Sequence, residues 1–398
     1  MSGEEEIRRL GKTILEILEK FGELELENVE IEAEELVLNI LPTLARPPAA
    51  PGVSLEELTL ETVPFEIPRE EFPGEIVEVQ IGATKSEGGS RKKVIKIGGE
   101  KAPPFYRFDY PMKNKPVVSM DVFDYPIRLP KPIRQHFEDV LEDPIAWAKK
   151  ALEFEPDLIT LHLISTSPEY GDKSPKEAAK LVEEIYQQIK DVPIIIGGSG
   201  DNKKDPLVLE AAAEVIEGER TALSTASLAN DYARIARAAV EYGHNVIALS
   251  FIDFPGAKEL NNRLMGEGLP KDRIIMDPTS AAVGYGYQYA FSVFERIRLA
   301  ALKGEELLQM PISGGITNAW AAREAWLSQK KAPEWGPPEY RGPLWEATTG
   351  IGLMLAGCDL LMMLHPAAVK IVKTIRDFLI SDKKAEVSMF YNWVSMKV

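Results

Sequence analysis

The 398-residue sequence predicts a (β/α)8 barrel, and three observations carry that prediction. From about residue 116 onward, short β-branched apolar runs alternate eight times with amphipathic stretches of ten to fifteen residues. Eight such units in about 280 residues suit a closed parallel barrel inside a ring of helices. A doubly wound open sheet, the competing architecture, would want a glycine-rich dinucleotide loop after its first strand, and the sequence has none there.

The chain opens with a different composition. Residues 1–75 hold 19 Glu, no Asp and only six basic residues, so −13 of the net charge of −16 sits in this segment. Ile7, Leu10, Ile14, Leu15 and Leu18 recur at helical spacing, and Leu36, Leu38, Ile40 and Leu41 precede the linker Arg46-Pro-Pro-Ala-Ala-Pro-Gly. Residues 1–75 therefore read as an appended acidic module and 76–398 as the barrel. The module is either a solvated extension or a docking surface for a larger assembly. Next, Val77-Glu-Val-Gln-Ile-Gly and Lys92-Lys-Val-Ile-Lys-Ile-Gly-Gly flank the Gly88-Gly89 turn signal, which predicts a β-hairpin placed to close the bottom of the barrel.

The barrel strands are expected at Val117–Val122, Leu158–Ile164, Pro193–Ile196, Thr221–Ser224, Val246–Phe251, Arg273–Met276, Leu308–Ile312 and Asp359–Met363. The intervening helices are expected at Pro144–Phe154, Pro175–Ile189, Pro206–Ile216, Asn230–Tyr242, Ala257–Met265, Tyr289–Leu302, Asn318–Ser328 and Trp345–Ala356, with Pro366–Leu379 as the last element of the chain. Asp143-Pro144, Ser174-Pro175 and Asp205-Pro206 each pair an N-cap residue with a proline whose missing N–H costs nothing at a first helical position.

Composition excludes several functions. The most apolar stretch, Ile351 to Leu364, is interrupted by Asp359, so a soluble chain is expected, and the acidic N-terminus is unlike a secretory signal, which points to the cytoplasm. A net charge of −16 disfavours nucleic acid as the main partner. One cysteine, Cys358, excludes a cysteine-ligated iron-sulfur cluster within this chain. His136, His162, His244 and His365 show no metal-ligand spacing.

Candidate functional residues follow the strand ends, where a barrel keeps its functional face. Gly197-Gly198-Ser199-Gly200-Asp201 offers backbone amides to a ligand or makes a tight turn capped by Asp205. Asp253 and Asp277-Pro278-Thr279-Ser280 bring carboxylates to one rim, for acid–base work, for a polar heterocycle or as helix caps. Gly284-Tyr285-Gly286-Tyr287 suits backbone that passes close to a flat ligand or a partner loop. Ser313-Gly314-Gly315 ends the seventh strand without a basic residue beside it, which makes phosphate a weak inference. His365 ends the eighth, facing a ligand or capping the last helix, and His162 reads as a packed barrel histidine. Gly11-Lys12-Thr13 is no phosphate loop, because the required earlier glycine is Glu6.

Taken in order, Ile81-Gly-Ala-Thr-Lys-Ser-Glu-Gly-Gly-Ser-Arg, Pro116-Val-Val-Ser-Met-Asp-Val, Gly200-Asp201 with Lys204-Asp205, Met276-Asp-Pro-Thr, Gly284-Tyr-Gly with Glu295-Arg-Ile-Arg, Arg341-Gly-Pro-Leu-Trp-Glu-Ala and Leu364-His-Pro form a pattern. Over about residues 76–380 it resembles the small subunit of the corrinoid iron-sulfur protein, known in archaea as the delta subunit of the acetyl-CoA decarbonylase/synthase complex. Residues 1–75 look like the extension of the longer archaeal form. The resemblance implies a barrel related to pterin-dependent methyltransferases, paired with a large (gamma) subunit that carries the iron-sulfur cluster and the corrinoid. It implies a corrinoid (cobalamin) held at the interface between the two subunits and covered by this barrel. Methyl groups would pass between a tetrahydropterin and the nickel site of acetyl-CoA synthase/CO dehydrogenase subunits, with a methyl-tetrahydropterin methyltransferase or its substrate as a further partner.

Rim position, with this resemblance, selects Thr166, Gly198, Ser199, Asp201, Asp253, Asp277, Thr279, Gly284, Tyr285, Gly314 and His365 as corrinoid contacts. Two alternatives stay open. The barrel itself binds methyl-tetrahydropterin, with Asp277 and Asp253 holding the ring, or the subunit organises a multienzyme complex through its acidic module.

Overall fold

The computed structural model describes residues 70–106 and 110–381, with Arg8, Arg9, Gly11, Lys12, Thr13, Glu16 and Lys20 near the start. The chain divides into two units, Met1–Ile67 and Pro68–Val398. Those seven early residues are helical; the apolar positions Ile7 to Leu18, Leu36 to Leu41 and the proline-rich linker lie outside the described residues.

The second unit begins with an antiparallel hairpin, β1 (Val79–Ile81) and β2 (Ile95–Ile97), in which Val79 faces Ile97 and Ile81 faces Ile95. Eight parallel strands then close on themselves: β3 (Val117–Phe123), β4 (Leu158–His162), β5 (Ile194–Gly197), β6 (Ala222–Ser227), β7 (Asn245–Leu249), β8 (Ile274–Asp277), β9 (Ile312–Gly315) and β10 (Cys358–Met363), with β10 pairing to β3. The helices are α1 (Lys131–Phe137), α2 (Pro144–Leu152), α3 (Pro175–Gln188), α4 (Asp205–Val215), α5 (Tyr232–Tyr242), α6 (Phe254–Gly266), α7 (Tyr287–Leu302), α8 (Pro338–Leu355) and α9 (Pro366–Ile380).

Two cores result. Outward strand residues such as Val118, Met120, Ile159 and Leu161 pack under the helices. Inward ones, Val117, Leu158, Ile195, Ala222, Ile247, Ile275 and Leu360, fill the barrel and meet Val79, Ile81 and Ile97 of the hairpin from below. The hairpin is thus the barrel's floor, tied on where Asn245 donates its side-chain N–H to the Gln80 carbonyl at 2.9 Å. With the floor closed and the middle packed, the barrel opens at its C-terminal mouth.

Local chemistry explains most boundaries. Asp143 caps α2 through the N–H groups of Ile145 and Ala146, and Ser174 forms a capping box with Glu177 on α3. Three expectations need correction. Asp205 is not an N-cap: it is the first residue of α4, and its carboxylate turns back to the preceding loop. The seventh strand starts at Ile312 rather than Leu308, because Glu306–Leu308 is a 3-10 turn. Residues 318–328 form short 3-10 turns and not an α-helix; the α-helix of that unit is α8, which starts at Pro338 and carries Pro343 inside it. Helix α1 was not anticipated.

Candidate functional site at the barrel mouth

Alternation along β3 and β4 brings Ser119, Asp121, Thr160 and His162 to the inner face above the apolar layer. The hydroxyls of Ser119 and Thr160 lie 2.7 Å apart. One layer higher, Nε2 of His162 stands 3.3 Å from Oδ1 of Asp121, while the Thr317 hydroxyl donates to Oδ2 of Asp121 at 2.5 Å. Phe123 stacks on the imidazole with ring centres 5.0 Å apart. A Cβ at position 197 would lie 2.9 Å from the imidazole Nδ1, so Gly197 is what leaves the ring its room. Asp121 Oδ1 and His162 Nε2 thus face one another below the mouth, both buried and without a hydrogen-bond partner among the described residues.

On the other side of the ring, Asp277 ends β8. It is 5% exposed, and its one hydrogen-bond donor among the described residues is the Thr279 N–H at 2.8 Å. Burial, with that single donor to oppose it, pushes its pKa up to about 7, so the carboxyl is poised to hold or release a proton near neutrality. Nearby, Ser280 donates to the Gly315 carbonyl, and Asn318 donates to the Ser280 carbonyl at 3.3 Å.

The residues singled out from the sequence fall into three groups. Asp277, Thr279, Gly284 and Tyr285 belong to the loop after β8 at the mouth; Gly284 holds φ +78°, and the Tyr285 hydroxyl donates to Glu324 at 2.6 Å. Gly198, Ser199 and Asp201 shape the loop after β5. The Asp205 carboxylate accepts the Ser199 and Gly200 N–H groups and the Ser199 hydroxyl, a Cβ at Gly198 would stand 2.4 Å from that carboxylate, and Asp201 accepts the Lys203 and Lys204 N–H groups. The remaining four serve the scaffold. Thr166 is fully buried and donates to the Leu163 carbonyl at 2.7 Å. Asp253 caps α6 through the Gly256 N–H. Gly314 faces the helix layer, where a Cβ would meet Phe294 at 3.3 Å and Cys358 at 3.4 Å, so Gly315 is the residue on the mouth side. His365 caps α9 with Nδ1, donates from Nε2 to the Pro132 carbonyl and stacks on Trp320; burial lowers its pKa to about 3, which leaves it neutral.

Asp121, His162 and Thr317 were not selected from sequence. The strand alternation puts Asp121 inward at the end of β3, and that was the available signal.

Comparison with known proteins now decides the family. The family model described as CO dehydrogenase/acetyl-CoA synthase delta subunit matches residues 78–331. The chain belongs to that family. It is 50% identical over 397 residues to the acetyl-CoA decarbonylase/synthase complex subunit delta of Methanocaldococcus jannaschii, covering 96% of each chain. It is 51% identical over 333 residues to subunit delta 1 of Methanosarcina thermophila, covering 82% of this chain and 76% of that one. Among solved structures, a dihydropteroate synthase from Xanthomonas albilineans in complex with 7,8-dihydropteroate is 15% identical, with a TM-score of 0.48, over 71% of this chain and 100% of that chain.

Several of the residues that carried the resemblance to the delta subunit are anchors of the fold. Arg341 donates to the carbonyls of Gly336 and Leu327, Glu346 accepts from Trp320, Leu364 and His365, and Arg298 bonds Glu100 and Asp359. Among the described residues no group of three or more His, Cys, Asp or Glu is arranged to hold a metal ion, and no helix is long and apolar enough to cross a membrane.

Proposed function

We propose that this delta-family chain pairs with the corrinoid-bearing large (gamma) subunit of an acetyl-CoA decarbonylase/synthase complex and covers the corrinoid with its barrel mouth. In that role it supports methyl transfer between a tetrahydropterin and the nickel site that makes or cleaves acetyl-CoA. One observation carries the reading: large apolar side chains stand exposed around the C-terminal ends of the strands. Tyr170 follows β4, Leu228 follows β6, Phe251 follows β7, Tyr285 and Tyr289 follow β8 and Trp326 follows β9; Phe251 and Tyr289 are 62% and 64% exposed. Half of the large apolar side chains exposed among the described residues thus lie in segments that follow strand ends, and such a grouping marks an interaction surface.

The residues fit a corrinoid. The packed interior leaves no room to swallow a macrocycle, so a flat ring can only lie across the rim. The loops 249–257 and 277–287 contain no Lys or Arg, and aromatic side chains free of cations there suit a broad, largely apolar ring face. When bound, the corrinoid supplies the nucleophilic cobalt that accepts and gives up the methyl group. The chain's own residues exclude water and orient. Tyr285 is steadied by Glu324, Gly284 keeps the loop low beneath the ring, and Asp277 holds a proton inside the covered space.

A second reading, binding of methyl-tetrahydropterin by the barrel alone, draws on Asp277, whose buried carboxyl has only one donor. Asp253 adds little to it, being engaged as a helix cap. Mixing the purified chain with the corrinoid-loaded large subunit, with and without methyl-tetrahydropterin, separates the two. A stoichiometric complex by light scattering with an altered corrinoid absorption spectrum is expected. Absence of association, together with pterin binding by this chain alone, would replace the covering role by the second reading. Residues 1–75 extend the proposal: deleting them is expected to dissolve the larger assembly while leaving the two-subunit pair intact.

A further inference from the structure

In the loops after β7 and β8, three non-glycine residues hold left-handed backbones: Phe251 at φ +48°, Ile252 at +60° and Thr279 at +69°. Two of them are β-branched, for which this region is strongly disfavoured, so the surrounding structure imposes it. The loops are stitched together, with the Ser250 N–H donating to the Asp277 carbonyl at 2.9 Å and the Ile252 N–H to the Pro278 carbonyl at 2.7 Å.

Within this joint the hydroxyls of Ser250 and Thr279 are buried and have no hydrogen-bond partner among the described residues. Ser250 is 8% exposed and Asp277 5%, while Phe251 stands out at 62%. Buried hydroxyls are almost always partnered in folded proteins, and backbone strain concentrates where a ligand is clamped.

The ligand's chemistry follows from these groups. Hydroxyls donate and accept, and a buried carboxyl donates when protonated and accepts when ionised. Residues 245–257 and 274–287 hold no Lys, Arg or His, so an anion finds no counter-charge. A neutral, planar group with an N–H beside a carbonyl fits, and Phe251 offers a ring face to its plane. Resting on the covering role proposed above, we infer that Ser250, Asp277 and Thr279 clamp a carboxamide arm at the fringe of the corrinoid, with Phe251 as the outer wall. The lactam edge of a reduced pterin presents the same donor–acceptor pair, so the test carries an arm for each source.

Full-length Thr279→Gly and Phe251→Ala chains are compared with wild type for thermal unfolding and for affinity toward three probes: corrinoid-loaded large subunit, corrinoid-free large subunit, and tetrahydrofolate. Glycine relaxes the left-handed backbone while deleting the hydroxyl, so Thr279→Gly is expected to unfold at the same or a higher temperature. It is nevertheless expected to bind the loaded subunit about tenfold more weakly, the corrinoid-free subunit being unaffected. Phe251→Ala, which also trims the apolar face proposed to meet the large subunit, is expected to weaken binding of both forms, that of the corrinoid-loaded subunit by more. Equal losses toward both forms of the large subunit, or none, overturn the clamp. A loss confined to tetrahydrofolate reassigns it to a pterin and overturns the carboxamide. If wild type itself shows no preference for the loaded subunit, the covering role fails, and this inference with it.

Discussion

Glu346 holds the turn from β10 into α9, accepting the backbone N–H of His365 at 3.0 Å. The same carboxylate accepts the Leu364 N–H at 2.6 Å and the Trp320 indole N–H at 2.9 Å. It is fully buried, and burial pushes its pKa up to about 7 against the pull of those three donors. Removing it strands three buried N–H groups. Glu346→Ala is therefore expected to lose about 3 kcal/mol or more in urea unfolding; a loss below about 1 kcal/mol would show that water or repacking takes over the donors.

Burial raises Asp277 and Glu346 from 3.8 and 4.5 to about 7 each. Between those limits the folded chain binds more protons than the unfolded one. The stability these two groups contribute is therefore complete below their unfolded values and lost as pH rises through about 7. Surface carboxylates lowered by partners, such as Glu78, titrate with the opposite sign, so the comparison is between chains rather than between pH values. Relative to wild type, Asp277→Asn is expected to gain stability from pH 5 to about pH 7, by at most about 1.4 kcal/mol per pH unit, and to level off above that. Parallel stability–pH curves for the two chains would exclude a raised Asp277.

Arg298, on α7, is 2% exposed and bonds Glu100 at 3.1 Å, Asp359 at 2.5 Å and the Gly357 carbonyl at 2.6 Å. Asp359 also accepts the Ile312 N–H at 2.7 Å, so one ion cluster joins β9, β10, α7 and the segment after the floor hairpin. Arg298→Met leaves two buried carboxylates without their cation, and a loss of about 3–5 kcal/mol is expected. Chemical denaturation measures it. An unfolding midpoint close to wild type would mean that the carboxylates simply take up protons.

Gly284 has φ +78°, and the nearest atom to a Cβ built there is Cζ2 of Trp345 at 3.8 Å. Space exists for a side chain, at a backbone cost of about 1 kcal/mol. Gly284→Trp is expected to fold, yet to bind the corrinoid-bearing large subunit more weakly and to leave its corrinoid spectrum closer to that of the uncovered protein. An unchanged spectrum and undiminished methyl transfer would remove this loop from the covering surface.

The barrel was legible because its signals are local and repeated. Alternation of β-branched runs with amphipathic stretches reports burial on both faces of a strand, and Asp143-Pro144 and Ser174-Pro175 mark helix starts by backbone chemistry alone. Where two local patterns competed, sequence reasoning slipped. Leu308 and Met310 read as strand, but Glu306–Leu308 turns in a 3-10 bend and the strand starts four residues later than expected. The same limit applied to Asp205, whose carboxylate can serve its helix or the loop before it, and three donors on Ser199 and Gly200 outweigh one cap.

The sequence by itself determined which strand ends could carry function and, through the spacing of its motifs, which family the chain resembles. Asp277, Thr279 and Gly284 were expected after the sixth barrel strand, and in the structure they end or follow β8. Only the tertiary structure decided which of those residues face the mouth. Gly314 and Gly315 differ by one position, yet the two-residue period of a strand turns the first toward the helices. His365 and His162 are both histidines at strand ends. Trp320, Pro132 and α9 bury the first, whereas Asp121, Phe123 and the missing side chain of Gly197 hold the second toward the open end of the barrel. Apart from α9, those partners lie tens to hundreds of residues away in the chain, and their meeting depends on closure of the sheet, which no local pattern encodes.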